Sequence, residues 1–331
     1  MIRTDVAGMQ SMRGNVWAFL FSSLVMVCHG AYAQSTSPIE KASAGAPVES
    51  VTVTGTKSRE VIESYVKSLT VPARQTGKIA RWQREICPIT VGLRPAFAQF
   101  ISERVKSVGK KAGAPVASSA SCAPNVAITF TTVPQTLLDN IKAKQPGLLG
   151  YYDNQSQRDR IATVTRPIQA WYTTATQDLN GKVEIDSNRT RGEGLEVWLP
   201  CPSVTGTCLV HLPNAHASAV TGTRLGDGLQ AGIYRVIVVA DPSKLTEYGM
   251  GTIGDYVAMV VLAQVDSVDT CRQLPTILNL LSPGCETKSD GITDADSAYL
   301  RGLYMMNPSQ NVGAQQDTIA YQMEQSLKAD K

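Results

Sequence analysis

Hydrophobic positions along this chain change period several times, and each change predicts an element. "VTVTGT", Val51 to Thr56, alternates and stops at a glycine turn, the pattern of a short strand. Beyond it Val61, Ile62, Tyr65, Val66 and Leu69 recur at helical spacing, with Ser58 placed to cap that helix. "CPITVGL", from Cys87, predicts a strand. In "RPAFAQFISERVKSVGKKAG" the residues Phe97, Phe100, Ile101, Val105, Val108 and Ala112 form one helical face that stops at Gly113. Val126, Ile128 and Phe130 alternate in "NVAITFTT", which predicts a strand. Pro134 opens a helix in "PQTLLDNIKAKQPG", and Pro146-Gly147 closes it. "QSQRDRIATV" reads as a further helix and "IQAWYTTATQD" as a strand.

The C-terminal half continues the alternation of element types. Residues 180–232 are rich in Gly, Asn and Thr, with short strand-like pieces "GLEVWLP" and "CLVHLP", and predict hairpins and loops at the sheet edge. "GIYRVIVVAD" is apolar almost throughout, as a strand buried on both faces is. "IGDYVAMVVLAQV" is apolar nearly all round at helical length, which places it in the centre of the fold, starting at Gly251 or Thr252. Two helices close the chain, "TDADSAYLRGLYMM" and "GAQQDTIAYQMEQSLKA", the first opened by a capping box of Thr293 and Asp296. No internal repeat is visible. The expected fold class is α+β, a mixed sheet packed on a central buried helix, in one domain over residues 51–331.

Composition adds an address. The chain has 331 residues, 43% of them hydrophobic, and a formal net charge of +3, which gives no electrostatic case for a nucleic-acid partner. Its densest basic spot, Lys110-Lys111, ends a helix, where cations suit the dipole. Arg3 and Arg13 precede the apolar run "VWAFLFSSLVMVC", Val16 to Cys28, and then Ala31 and Ala33 precede Gln34. That tripartite pattern predicts a signal peptide over residues 1–33, cleaved near Ala33–Gln34, and a periplasmic or secreted product. The run is shorter than the ~20 residues of a membrane span, and no second long apolar run follows it. Residues 34–50, "QSTSPIEKASAGAPVES", lack periodicity and read as a flexible leader.

An oxidising compartment changes how cysteines are read. Cys28 falls in the leader, which leaves Cys87, Cys122, Cys201, Cys208, Cys271 and Cys285. An even number predicts disulfides, and spacing favours the sequential pairs Cys87–Cys122, Cys201–Cys208 and Cys271–Cys285. No C-x-x-C knuckle supports a metal reading.

The candidate chemistry is thin. "GMGTIG", Gly249 to Gly254, matches G-x-G-x-x-G, but "PSKLTEYG" separates it from its strand and no second strand follows the helix. A dinucleotide site needs both. Ser64 to Lys67, "SYVK", fits S-x-x-K without a partner motif, and G-x-S-x-G is absent. His211 and His216, with Asp227, would suit a surface metal only if a third ligand were placed by spacing; the expectation is two loop histidines. Asp294 and Asp296 are explained by helix capping. Trp171 and Tyr172 point to opposite faces of their strand, so one of them is a candidate exposed aromatic on an edge strand, suited to a peptide or glycan; the other reading, favoured by how aromatics are usually buried, is that helices cover both. No cofactor is expected.

Three resemblances bear on function. "VTVTGTK" resembles the start of TonB-dependent outer-membrane receptors, although helices follow here in place of a plug and barrel. "NVAITFTT" and "ITDADSAYLRGLY" resemble the second strand and last helix of metzincin-type zinc peptidases, across residues 87–305. That resemblance implies a zincin-like topology with H-E-x-x-H on the central helix, where this chain has Asp255-Tyr256-Val257-Ala258-Met259. Two zinc-binding histidines and a general base are therefore missing from the motif. The signal peptide, the V-T-G stretch, "ARW…CP" and the D-Y-hydrophobic helix together resemble uncharacterised secreted proteins of Gram-negative bacteria. The expected function is a non-catalytic envelope protein that binds a protein, peptide or glycan on a zincin-like scaffold without zinc. The alternative is a metal-independent hydrolase of peptides or glycans.

Overall fold

The structure is a computed structural model, and it describes residues 56–119, 121–186, 195–200, 207–212, 227–265 and 269–329. The strand expected at Val51 lies outside these residues except for Thr56, which already belongs to helix α1, Thr56–Leu69. Ser58 is thus inside the helix and not its cap. The expected apolar stripe is present, with Ile62, Tyr65, Val66 and Leu69 buried.

The mixed α+β architecture is as the periodicity requires. Strands β1 (Arg81–Trp82), β2 (Pro88–Val91), β3 (Val126–Phe130), β4 (Ile168–Gln177) and β5 (Val183–Ile185) join β8 (Gln230–Ala240) in one sheet. Its order is β2-β3-β8-β4-β5, with the short β1 also paired to β8. β2, β3 and β8 run parallel, whereas β4 runs antiparallel to both β8 and β5. Helix α2, Pro95–Ala112, makes the crossover that parallel β2 and β3 need. It stops at Gly113, whose φ of 83° lets its N–H return to the carbonyls of Gly109 and Lys110. Phe100, placed on the buried face by its spacing, is 44% exposed. The buried face of α2 is formed by Ile101, Val105, Val108, Gly109 and Ala112.

β8 is the central strand, and alternation along it feeds two cores. Val236, Val238 and Ala240 enter the larger core with Val126, Ile128, Phe130, the helices α1 and α2, and the helix that follows β8. Ile237 and Val239 enter a smaller core with Trp171, Leu138, Leu149 and Ala162. The smaller core is roofed by α3 (Pro134–Lys144), the turn Pro146–Leu149 and α4 (Gln155–Ile161). Each fully buried Val, Leu or Ile stabilises the fold by about 1.5–3 kcal/mol. β6 (Leu195–Pro200) and β7 (Thr207–Leu212) form a separate antiparallel hairpin, not an edge of the main sheet as expected.

Helix α5, Met250–Leu262, is buried on every side from Ile253 to Leu262. It begins at Met250, earlier than Gly251 or Thr252, with Gly249 at the N-cap. Helices α6, Asp294–Met305, and α7, Val312–Ala329, follow. The capping box of Thr293 and Asp296 is formed at the start of α6. Two of the expected cystines are present, Cys87–Cys122 and Cys271–Cys285. Cys201 lies outside the described residues, so the pair Cys201–Cys208 does too.

Candidate functional site

Helix α5 carries one buried charged side chain, Asp255, on an otherwise apolar segment. Asp255 is 4% exposed and takes a bidentate ion pair from Arg104 on α2, one arm of which measures 2.9 Å. Its Oδ2 also accepts the backbone N–H of Ile292 at 3.1 Å. The carboxylate thereby fastens α5 to α2 and to the chain entering α6. Gly254, the last glycine of the G-x-G-x-x-G match, faces Arg104 and Ile101, and a Cβ there would stand 3.2 Å from the Arg104 side chain. The glycine serves close helix packing.

The far end of α5 answers a backbone question. The last carbonyls of a helix have no partner inside it. Here Met259 O accepts the N–H of Ala263 at 3.1 Å. Val260 O accepts the Tyr172 hydroxyl at 2.6 Å, Val261 O the Trp82 indole N–H at 2.8 Å, and Leu262 O the Tyr304 hydroxyl at 2.8 Å. Aromatic side chains from β4, β1 and α6 complete the C-terminus of this buried helix. Burial raises the Tyr172 and Tyr304 hydroxyls far above the usual tyrosine range, so both remain donors.

Of the two readings for Trp171 and Tyr172, the one that leaves a ring open to a ligand is not what the fold gives. Their rings do point to opposite faces, but both faces are covered. Trp171 is 4% exposed in the smaller core and donates to Ile161 O at 2.8 Å. Tyr172 is committed to α5. Strand β4 lies between β8 and β5, but β5 pairs only with Ala175–Gln177; nearer Trp171 and Tyr172 it is the turn Pro146–Leu149 that packs against β4.

A buried polar cluster lies beside α5. Asp296 is fully buried and accepts from Tyr65 Oη at 3.0 Å, from Thr276 Oγ1, from Ile277 N at 2.8 Å and from Thr293 N at 3.1 Å. Burial raises its carboxyl above the usual aspartate range, with the donors acting in the opposite direction. The same burial, together with the Asp296 charge, drives Tyr65 well upward. Tyr299 meets Tyr65 edge-on with ring centroids 6.2 Å apart. Asp186 is another buried carboxylate, raised by burial and held by Thr174 Oγ1 at 2.6 Å and Thr176 Oγ1 at 2.8 Å. The Tyr256 hydroxyl is buried, with no hydrogen-bond partner among the described residues.

The remaining candidates disperse. Ser64 and Lys67 are exposed on α1. His211 is not in a loop; it stands on β7 opposite Glu196. His216 lies outside the described residues, and Asp227 pairs with the buried ammonium of Lys78, which also donates to Ser309 O at 2.9 Å.

One surface was not foreseen. β2 is the last strand of its sheet, and its alternation leaves Ile89 and Val91 exposed at 45% and 46%. Thr90 between them turns inward and bonds Ser102 of α2 at 2.9 Å. The two exposed side chains therefore stand on the face away from α2, beyond the half of the sheet that α3 and α4 cover. On the outer side of β2, Ile86 is paired with residues 115–117 through Pro115 O at 2.9 Å and Ala117 N at 3.1 Å. From Pro88 to Val91 no further strand pairs there among the described residues. The signal was present in "CPITVGL": a strand with apolar residues on both faces, of which only one face has a helix to cover it.

Compared with protein-family models, with curated proteins and with solved structures, the chain matches none.

Proposed function

We propose that this chain is an exported, non-catalytic binding protein of the bacterial envelope, on a zincin-like scaffold without the zinc motif, and that it holds an extended peptide along β2. The observation that carries the reading is the unpaired outer edge of β2 with Ile89 and Val91 exposed beside it. Edge strands are usually blunted by charge or by a covering element, because their free N–H and C=O groups recruit other strands. A strand added at Pro88–Val91 would take the outward groups that this edge has, the C=O of Pro88, which has no N–H, and the N–H and C=O of Thr90, and the Ile89 and Val91 side chains would select alternate apolar residues in it.

The commitments inside the fold support a scaffold role. Asp255 and Asp296 each hold several chain segments together, so neither carboxylate is poised toward a cleft. Export is supported by the cystines Cys87–Cys122 and Cys271–Cys285, which suit an oxidising compartment, and by the leader ahead of Gln34. No helix among the described residues is long and apolar enough to cross a membrane.

The test is an immobilised library of extended peptides probed with the mature chain, then with Ile89→Lys and Val91→Lys. Retention of peptides with alternating apolar residues, weakened about tenfold or more (roughly 1.4 kcal/mol) by either substitution, is the expected result. Binding that both variants retain in full would refute the assignment to β2.

A further inference from the structure

The two described cystines stand in different surroundings. Cys87 is 5% exposed, its N–H is bonded to Asn125 Oδ1 at 2.8 Å, and its partner Cys122 is half-buried. That bond closes a sequence separation of 35 residues containing α2. Cys271 is exposed, whereas Cys285 is 8% exposed, and their bond closes a separation of 14 residues. Shorter closed loops are stabilised less by their cross-link, and thiol–disulfide exchange requires access to a sulfur.

The shorter loop is also tied down without its cystine. Thr276 Oγ1 and Ile277 N donate to the buried Asp296. The Arg272 N–H donates to Asn279 Oδ1 at 3.0 Å, and Asn279 Nδ2 returns to Arg272 O at 3.1 Å. Leu274, Ile277, Leu278 and Leu280 are buried in the larger core. A bond that can be reached from solvent, across a loop that keeps its place without it, can be cycled while the fold persists.

We infer that Cys271–Cys285 is a thiol-exchange site, addressed by a dithiol oxidoreductase through Cys271. The partner's thiolate attacks Sγ of Cys271, and the bond to Cys285 breaks with its electron pair left on the Cys285 sulfur, which takes up a proton. A mixed disulfide now joins the partner to Cys271. The partner's second thiolate attacks the partner sulfur of that bond and returns Cys271 as a thiol. In sum the cystine gains two electrons and two protons, and the dithiol partner is oxidised to its own disulfide.

The test uses the full mature chain. Graded dithiothreitol is followed by alkylation and peptide mass mapping, with near-ultraviolet circular dichroism recorded on each sample. Labelling of Cys271 and Cys285 ahead of Cys87 and Cys122, with the dichroism unchanged, is the expected order. A thioredoxin-fold oxidoreductase whose resolving cysteine is replaced by serine should then be trapped on Cys271. Simultaneous reduction of both cystines, earlier reduction of Cys87–Cys122, or trapping on any other cysteine would overturn the inference. So would loss of the dichroism when only Cys271 and Cys285 are reduced. The double variant Cys271→Ser with Cys285→Ser provides the second check: it should keep the native dichroism, and a collapsed spectrum would contradict a fold that survives both redox states.

Discussion

Asp296 serves two purposes that differ in how far apart their partners lie along the chain. Its role in the capping box with Thr293 is local and is legible in "TDAD". Its bonds to Tyr65 and Thr276 bring together residues separated by 231 and 20 positions, which no local pattern encodes. The same burial that gathers these donors raises its carboxyl, and Asp186 is raised in the same direction. A carboxyl with a raised folded value binds its proton more tightly in the folded state. Its contribution is complete below the ordinary aspartate range, near ~4, and is lost as pH rises through the folded value. Denaturant titrations at a series of pH values should therefore show the Asp296 share of stability, read as the difference between wild type and Asp296→Asn, falling as pH rises through that window. Asp296→Asn should flatten the slope and leave the share of Asp186. A difference between wild type and Asp296→Asn that grows as pH rises would show that the hydrogen bonds outweigh burial; the wild-type curve alone does not, because the lowered carboxyls of Asp227 and Glu324 act in the opposite direction. Truncation to Ala should cost roughly 3 kcal/mol, because buried donors lose their acceptor.

Helix α5 shows the same division at the scale of an element. Its burial was legible, since an apolar circumference leaves a helix nowhere else to go. The fastening of its ends was not, because Trp82, Tyr172 and Tyr304 come from three other elements. Read along the sequence, Tyr172 suggested a binding aromatic; in the fold it completes the C-terminus of a helix. Opposite effects are expected from two tyrosines. Tyr172→Phe leaves Val260 O without its 2.6 Å donor and should lower stability by about 1–2 kcal/mol. Tyr256→Phe removes a buried hydroxyl that has no partner among the described residues, and should be neutral or stabilising. Thermal or urea unfolding of the two variants measures both. Equal losses would mean that Tyr256 has a partner as strong as that of Tyr172.

At the scale of the whole molecule, the α+β class, the central strand and the central helix all follow from changes of hydrophobic period. The strand order does not, because pairing of β4 beside β8, and not at an edge, depends on contacts distant in sequence. That order moves the candidate surface from Trp171 and Tyr172 to the outer strand β2. Ile89 and Val91 are not legible as a surface in the sequence, because an apolar strand reads as core until the elements that cover it are known. Hydrogen–deuterium exchange of the mature chain, with and without a library-selected peptide, tests this placement most directly. Peptide-dependent protection centred on Ile89–Val91, with α5 and β4 unchanged, is the expected result. Protection centred on α5 or around Trp171, with β2 exchanging as before, would contradict it.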